Sequence, residues 1–433
     1  MKTLKIARAN KWVVTFLAML TIFFSVSIYP GVSQTSSPQV EVFEQVWETV
    51  NDNFFDPNFN GVDWEQMRSK YAPLAAKTRS TEELAVVINQ MLSELETSHT
   101  YFYTQAEPAY YQIAGIFREY ILKDLKQYLP DGKLEYTGIG IYTEEIDGQT
   151  FIKAILEGSS AAKAGLQVGD RILSVDGKPF EPIESFVGKA GEEVEVQIVR
   201  QQDASPQAIA VVPQNFNPAT MFLDAMKDSV EIIEREGKKI GYIHIWSYAD
   251  PIYQEQLETE LIDDRLKDTD GLVWDLRDGW GGAIPTYLNI FTAPTPTITS
   301  IFRDGVKRQR NFQWQKPVVM LVNQGSRSGK EILAYGFRKY NVGQIVGSKT
   351  AGAVVAGSPF VMKDGSLLYL AVADVYVDGK RLEGEGVVPD LAVPFSIPYA
   401  QGNDPHKERA IETVLEKIKL ETTQATVFGK TLR

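Results

Sequence analysis

The chain contains no cysteine. This excludes a disulfide scaffold, a thiol nucleophile and thiolate metal sites. Histidine is almost as scarce: His99, His244 and His406 are the only three in 433 residues. Any histidine-dependent chemistry must use one of them. There is no excess of positive charge either. The formal net charge is −12 and no basic stripe interrupts the body of the sequence, so nucleic acid is not an expected partner. HExxH, carboxylate–histidine metal spacing, a P-loop and a complete GxGxxG are all missing, and neither a metal nor a nucleotide cofactor is expected. No internal repeat or low-complexity tract is present. What is there is a hydrophobic fraction of 44% and an aromatic fraction of 11%, enough for a sizeable core and two or three domains.

The first residues read as a targeting segment. Lys2, Lys5, Arg8 and Lys11 precede an uncharged, mostly apolar stretch from Trp12 to Tyr29, and Pro30 to Ser37 is small and polar. This is the pattern of a signal peptide, residues 1–33, although the apolar stretch also borders on the length of a membrane anchor. Either way the body is expected outside the cytoplasm, periplasmic or otherwise extracytoplasmic, with membrane association through this segment only.

Behind it, residues 38–130 are helical in pattern. Val42, Phe43, Val46, Trp47 and Val50 recur at helical spacing, and Ser80-Thr81-Glu82-Glu83 is a helix start. Residues 131–213 change to strands and turns, with Ser159 to Leu166 as a short helix ended by Gly165. From 214 to 400 strands and helices alternate, as in an α/β layered core. Residues 401–433 read as a C-terminal helix and tail. His244 lies within the apolar strand Ile240–Ile245, where a satisfied core histidine is expected; His406, in a polar segment, is expected to be exposed.

The most informative stretch is Asn323-Gln324-Gly325-Ser326-Arg327-Ser328-Gly329-Lys330-Glu331. It follows the apolar run Pro317–Val322 and precedes a helical pattern. A strand, a sharp Gly/Ser turn and a helix start put one hydroxyl at a helix N-terminus, where a nucleophile and an oxyanion are favoured. Alone, such a turn would equally suit a helix-capping serine. It resembles, however, the nucleophile turn of the C-terminal processing (tail-specific) proteases, peptidase family S41, usually T-A-S-A-S-E-I. Other segments share the resemblance. Asp275-Leu276-Arg277-Asp278-Gly279-Trp280-Gly281-Gly282 is similar to the family's D-L-R-x-N-x-G-G. The A-G-L-x-x-G-D-x-I pattern from Ala164 resembles a PDZ domain. Phe43–Trp47 and Val62–Trp64 match elements of the helical N-terminal part.

The resemblance implies a multi-domain α+β protein: a helical N-terminal domain, a PDZ-like β domain and a crotonase-like layered α/β protease core. It implies Ser328 as nucleophile, with the N–H groups of Gly282 (Gly281 as alternative) and Gly329 as the oxyanion hole. One departure matters. Threading the family's T-F-G-K-G motif gives Thr350-Ala351-Gly352-Ala353-Val354, so the usual base, a lysine, is replaced by Ala353. Lys330 and Lys349 stand at other registers. A branch similar to the tricorn core protease uses histidine instead. By that resemblance His99 is the acid/base, Ser98 stands beside it, and Glu383, in Glu383-Gly384-Glu385-Gly386-Val387-Val388-Pro389-Asp390, orients it through Ser98, with Glu385 as competitor. Gly138-Ile139-Gly140-Ile141 is where a PDZ domain captures a peptide's C-terminal carboxylate. The implied function is an exported serine peptidase acting on unstructured polypeptides or their C-terminal tails. The alternatives are an inactive binding protein on the same fold and a scaffold delivering partners to another protease.

Overall fold

The computed structural model describes residues 37–431. The expected targeting segment lies outside the described residues. Among those described, no helix is long and apolar enough to cross a membrane.

Three helices open the described chain: Pro38–Asn53, Trp64–Ala75 and Thr81–Ser93. Each starts at a side chain that takes up an orphan N–H: Ser37 accepts from Val40, Asp63 from Gln66, and Ser80 from Glu83. Trp47 and Trp64 stack and exchange hydrogen bonds, each indole N–H donating to the other's carbonyl at 2.9 and 3.2 Å. The chain then turns through Ser98 and His99 into a short strand, Tyr101–Tyr103. This strand pairs antiparallel with Leu367–Ala373, Tyr101 facing Tyr369. The helices thereby share a buried cluster with Val355, Met362, Leu368 and Leu370 from far later in the sequence.

The next unit is a six-stranded, antiparallel sheet running from Ile141–Ile146 to Gln207–Val211. Its separate core contains Ile139, Ile152, Leu166, Ile172, Phe186 and Val196. The helix Ser160–Ala164 ends at Gly165, which takes a left-handed conformation.

The third unit is built on a six-stranded sheet. Its strands are Glu231–Arg235, Lys238–His244, Gly271–Asp275, Val318–Val322, Gly343–Gly347 and Leu391–Ala392, in that spatial order. The first pair is antiparallel and the rest are parallel. Val318–Val322 is buried at every residue, as a parallel strand covered on both faces must be. The C-terminal helix Pro405–Thr431 covers one face through Ala410, Ile411, Val414 and Ile418. Leu333 and Phe337, from the helix Gly329–Lys339, pack on the other with Trp274 and Met320. The fold is thus multi-domain α+β, as the sequence implies.

Two expectations are corrected. The strand–helix alternation expected over 214–400 is weakened after Gly282, where the only helical structure before the next strands is the pair of short turns Pro285–Leu288 and Asn289–Thr292. An exposed hairpin, Ile298–Ile301 with Lys307–Arg310, follows. His406 is buried, not exposed: its Nε2 lies 2.8 Å from the Val393 carbonyl, to which it must donate.

Candidate active site

The turn after Val318–Val322 is held from three sides. The Asn323 side-chain carbonyl accepts from the N–H groups of Gly325 (2.9 Å) and Asp278 (3.1 Å). Ser326 Oγ donates to the Leu276 carbonyl (2.8 Å) and accepts from Asn323 N–H (3.0 Å). Ser328 then stands at φ 57°, ψ −127°, a region L-residues seldom occupy and that costs about 1–3 kcal/mol unless the surroundings impose it. Here its N–H donates to the Ala353 carbonyl at 2.7 Å and lies 3.3 Å from Glu331 Oε2. The buried Glu331 carboxylate also accepts from Thr350 Oγ1 (2.5 Å), Gly352 N–H (2.7 Å) and Ala353 N–H (2.8 Å). Burial pushes the Glu331 carboxyl up, against these hydrogen bonds. Ala353, which stands where the family motif has lysine, therefore lies against the serine through its backbone.

Lys330 points away from Ser328 into the core. Its buried ammonium donates to the carbonyls of Asp278 (2.6 Å) and Trp246 (3.2 Å). Burial drives its pKa down to about 7. Lys349 is exposed.

Gly281 and Gly282 close the other side. A Cβ on Gly281 would come within 2.9 Å of Ser328 Oγ and of Gly329 N. Gly282 has φ 99°, and a Cβ there would meet Ala249 Cα at 2.5 Å. Only glycine allows both approaches. Among the described residues, neither Gly282 nor Gly329 spends its backbone N–H on a carbonyl. The strand leading here ends in Asp275, joined to Arg277 (2.6 Å) and to Tyr242 Oη (2.7 Å). Burial opposes ionisation of Asp275, but Arg277 outweighs it and holds the carboxyl well below its usual range.

Ser98 and His99 arrive from the end of the third helix. Glu383 Oε1 accepts from Ser98 N–H (2.9 Å). Its Oε2 accepts from Ser98 Oγ (3.0 Å), Val354 N–H (2.6 Å) and Val355 N–H (3.2 Å). Ser98 Oγ is 2.9 Å from His99 Nδ1. Every partner of Glu383 is a donor, so the single hydroxyl proton of Ser98 goes to the carboxylate. Ser98 must then accept from His99 Nδ1–H, which leaves the Nε2 lone pair available. His99 has φ 54° and its ring packs on Tyr369. Burial, and then the charge of Arg327, lower its pKa to about 4, with Glu383 opposing. No hydrogen bond joins His99 to Ser328 among the described residues; the Arg327 charge acting on His99 belongs to the residue just before Ser328. Glu385, the competitor, is exposed and pairs with Lys380.

Gly138, Ile139, Gly140 and Ile141 line a cavity of about 300 Å³, together with Trp280 and Arg327. His244 is a satisfied core histidine, as expected from its strand. Its Nδ1 lies 2.8 Å from Glu157 Oε1 and its Nε2 3.1 Å from the Arg277 carbonyl. Sequence reasoning missed Glu331, Arg327, the burial of Lys330 and the role of Glu157. The spacing Ser328-x-x-Glu331 was the available signal for the first.

Comparison with known proteins follows this geometry. The sequence model of peptidase family S41 matches residues 239–393, that of the tricorn protease C1 domain residues 40–93, and that of the PDZ domain residues 151–200. The chain is 26% identical to a carboxyl-terminal-processing protease of Synechocystis sp., over 88% of this chain and 87% of that protein. It is 24% identical to the tricorn protease of Thermoplasma volcanium over 90% of this chain, but spans only 38% of that protein. Among solved structures, the tricorn protease is similar in fold, with a TM-score of 0.52 and 18% identity over 88% of this chain and 37% of that one.

Proposed function

We propose that this chain, which matches the model of peptidase family S41 over residues 239–393 and that of a PDZ domain over residues 151–200 and is similar to C-terminal processing and tricorn proteases, is an exported serine peptidase of that family with histidine as general base, acting on unstructured polypeptides or protein C-terminal tails. In this reading residues 38–130 present the base, 131–213 capture the substrate, 214–400 carry the nucleophile and oxyanion hole, and the helix that begins at Pro405 covers the sheet.

The mechanism follows from proton placement. His99, with its proton on Nδ1, takes the Ser328 hydroxyl proton at Nε2 as Oγ attacks the substrate carbonyl. The new imidazolium is stabilised through Ser98 by the Glu383 carboxylate. The oxyanion is met by the N–H groups of Gly282 and Gly329. His99 then returns the proton to the leaving amine, and water repeats the sequence on the acyl-enzyme. Contacts between base and nucleophile commonly tighten only around substrate. The observation that carries the proposal is the unbroken hydrogen-bond chain Glu383–Ser98–His99, across 285 positions of sequence.

The test is intact-mass analysis after incubation with a fluorophosphonate. One adduct on the wild type, lost in both Ser328→Ala and His99→Ala, supports the proposal. No adduct on a folded wild type moves the reading to a binding protein. An adduct that survives His99→Ala but not Ser328→Ala keeps the peptidase and removes His99 as base.

A further inference from the structure

The residue before the nucleophile is an arginine without a counter-ion. Arg277, Arg338 and Arg381 each sit on a carboxylate. No ion pair joins Arg327 to a described carboxylate. Its Nε is buried and has no hydrogen-bond partner, which is costly for a charged donor unless something arrives to accept from it. The guanidinium carbon lies 5.5 Å from the centre of the Trp280 ring. That indole is itself fixed by a 2.8 Å hydrogen bond to Gln112 Oε1.

Arg327 forms part of the wall of the 300 Å³ cavity, which the Gly138–Ile141 loop and Phe186 also line. The other charged groups of the wall are engaged elsewhere. Glu107 accepts from Thr104 N–H at 3.0 Å, Asp278 accepts from Asn323 Nδ2 at 3.1 Å, and Lys153 lies 3.8 Å from Glu144. A cation with free donors, an aromatic face beside it and apolar residues in the same cavity wall is a receptor for an anion carried on a peptide.

We propose that Arg327 is a specificity-determining residue that receives a carboxylate of the substrate polypeptide in the cavity it lines together with the Gly138–Ile141 loop. The group is either the α-carboxylate of a chain end or the side chain of an aspartate or glutamate. The proposal rests on the peptidase reading for its biological use, but the binding itself does not require turnover. It has a consequence for catalysis. Arg327 is one of the causes that depress the basicity of His99. A carboxylate bound to it offsets that charge and makes His99 a stronger base, so the substrate group that docks also favours the proton transfer.

The experiment uses the full chain with Ser328→Ala, so that nothing is cut. Matched decapeptides are titrated against it: free acid, C-terminal amide, and amides with or without one aspartate or glutamate. The same series is run with Arg327→Gln and Arg327→Lys added. Preference for a carboxylate of about tenfold or more, falling below about threefold in Arg327→Gln and partly kept in Arg327→Lys, is the expected result for a charge-assisted contact. Preference confined to the free acid identifies the chain end as the source; preference for the acidic amide identifies the side chain. A preference unchanged by Arg327→Gln assigns the carboxylate to the backbone of the Gly138–Ile141 loop and overturns the proposal. So does the absence of any preference with Arg327 intact. Fluorophosphonate labelling of the Ser328 chain is read separately: its absence defeats the peptidase reading and leaves the binding result standing.

Discussion

Two histidines of this molecule lie near a glutamate, His244 buried and His99 half-buried, yet their surroundings shift them in opposite directions. His244 touches Glu157 directly and gives its second nitrogen to the Arg277 carbonyl. Both partners are acceptors, so both ring nitrogens donate. Burial opposes the charge, but Glu157 outweighs it and the pKa is raised. His99 reaches Glu383 through the Ser98 hydroxyl, and nothing among the described residues accepts from its Nε2. Burial wins there and the pKa falls to about 4. One interposed hydroxyl separates a fixed cation from an idle base. At His244 both ring nitrogens are spent on acceptors, whereas at His99 the Ser98 hydroxyl relays the Glu383 charge to Nδ1 and leaves Nε2 uncommitted.

The contrast is broken most strongly at the catalytic end. Ser328→Ala and His99→Ala should each lower kcat/KM by about 10³-fold or more, and the double variant should be no worse than the single ones, because the two act as a unit. His244→Ala should instead lose stability, read as a lower melting temperature, while fluorophosphonate labelling persists. Labelling lost with His244 and kept without His99 would reverse the assignment.

Next comes Glu383→Gln, which keeps the shape and removes the charge. A loss of about 10²-fold in kcat/KM is expected. The pH profile carries the sign. His99 must be neutral to act, so the acid limb of the wild type falls as pH drops through about 4. Glu383 raises that pKa, so its loss moves the limb lower still. The same depression affects stability: an unfolded histidine takes a proton below its ordinary 6.5 and the folded one does not until about 4, so the fold loses stability between them.

A smaller effect sharpens the other side. Glu157→Gln should destabilise by about 1–3 kcal/mol, measured by denaturant unfolding. The sign is opposite to that at His99. The folded His244 pKa lies above 6.5, so the contribution of the pair is fully present below 6.5 and disappears as pH rises through the raised value. The smallest effect belongs to Glu385→Ala. Its exposed pair with Lys380 should change stability by less than about 1 kcal/mol and leave turnover untouched.

How much of this was legible in the sequence depended on whether the signal was local. The nucleophile turn was legible because a buried strand, small residues and a helix start adjoin one another. The short helix before Gly165 and the start at Ser80 were legible for the same reason. The hairpin Ile298–Ile301 with Lys307–Arg310 was not, because both strands are exposed throughout and carry no apolar alternation. His406 was misplaced because its burial comes from the Val393 carbonyl and the Phe395 ring, neither visible in the polar segment around it. Glu157 meets His244 across 87 positions. Choosing between Glu383 and Glu385 needed the fold, since two glutamates two positions apart differ only in which one the turn directs inward. Nothing local to Lys330 and Glu331 signals their burial; their partners are main-chain groups and, for Glu331, the Thr350 hydroxyl, most of them from other segments.

The strand Tyr101–Tyr103 and the residues just before it have no finished place to go when they are made. Their pairing strand begins at Leu367, and the carboxylate that fixes Ser98 is Glu383. On a ribosome, Ser98, His99 and Ser328 therefore all leave the exit tunnel before Glu383, which fixes Ser98. The Glu383–Ser98–His99 hydrogen-bond chain closes only after Glu383 has been made, a delay set by the order of the residues alone.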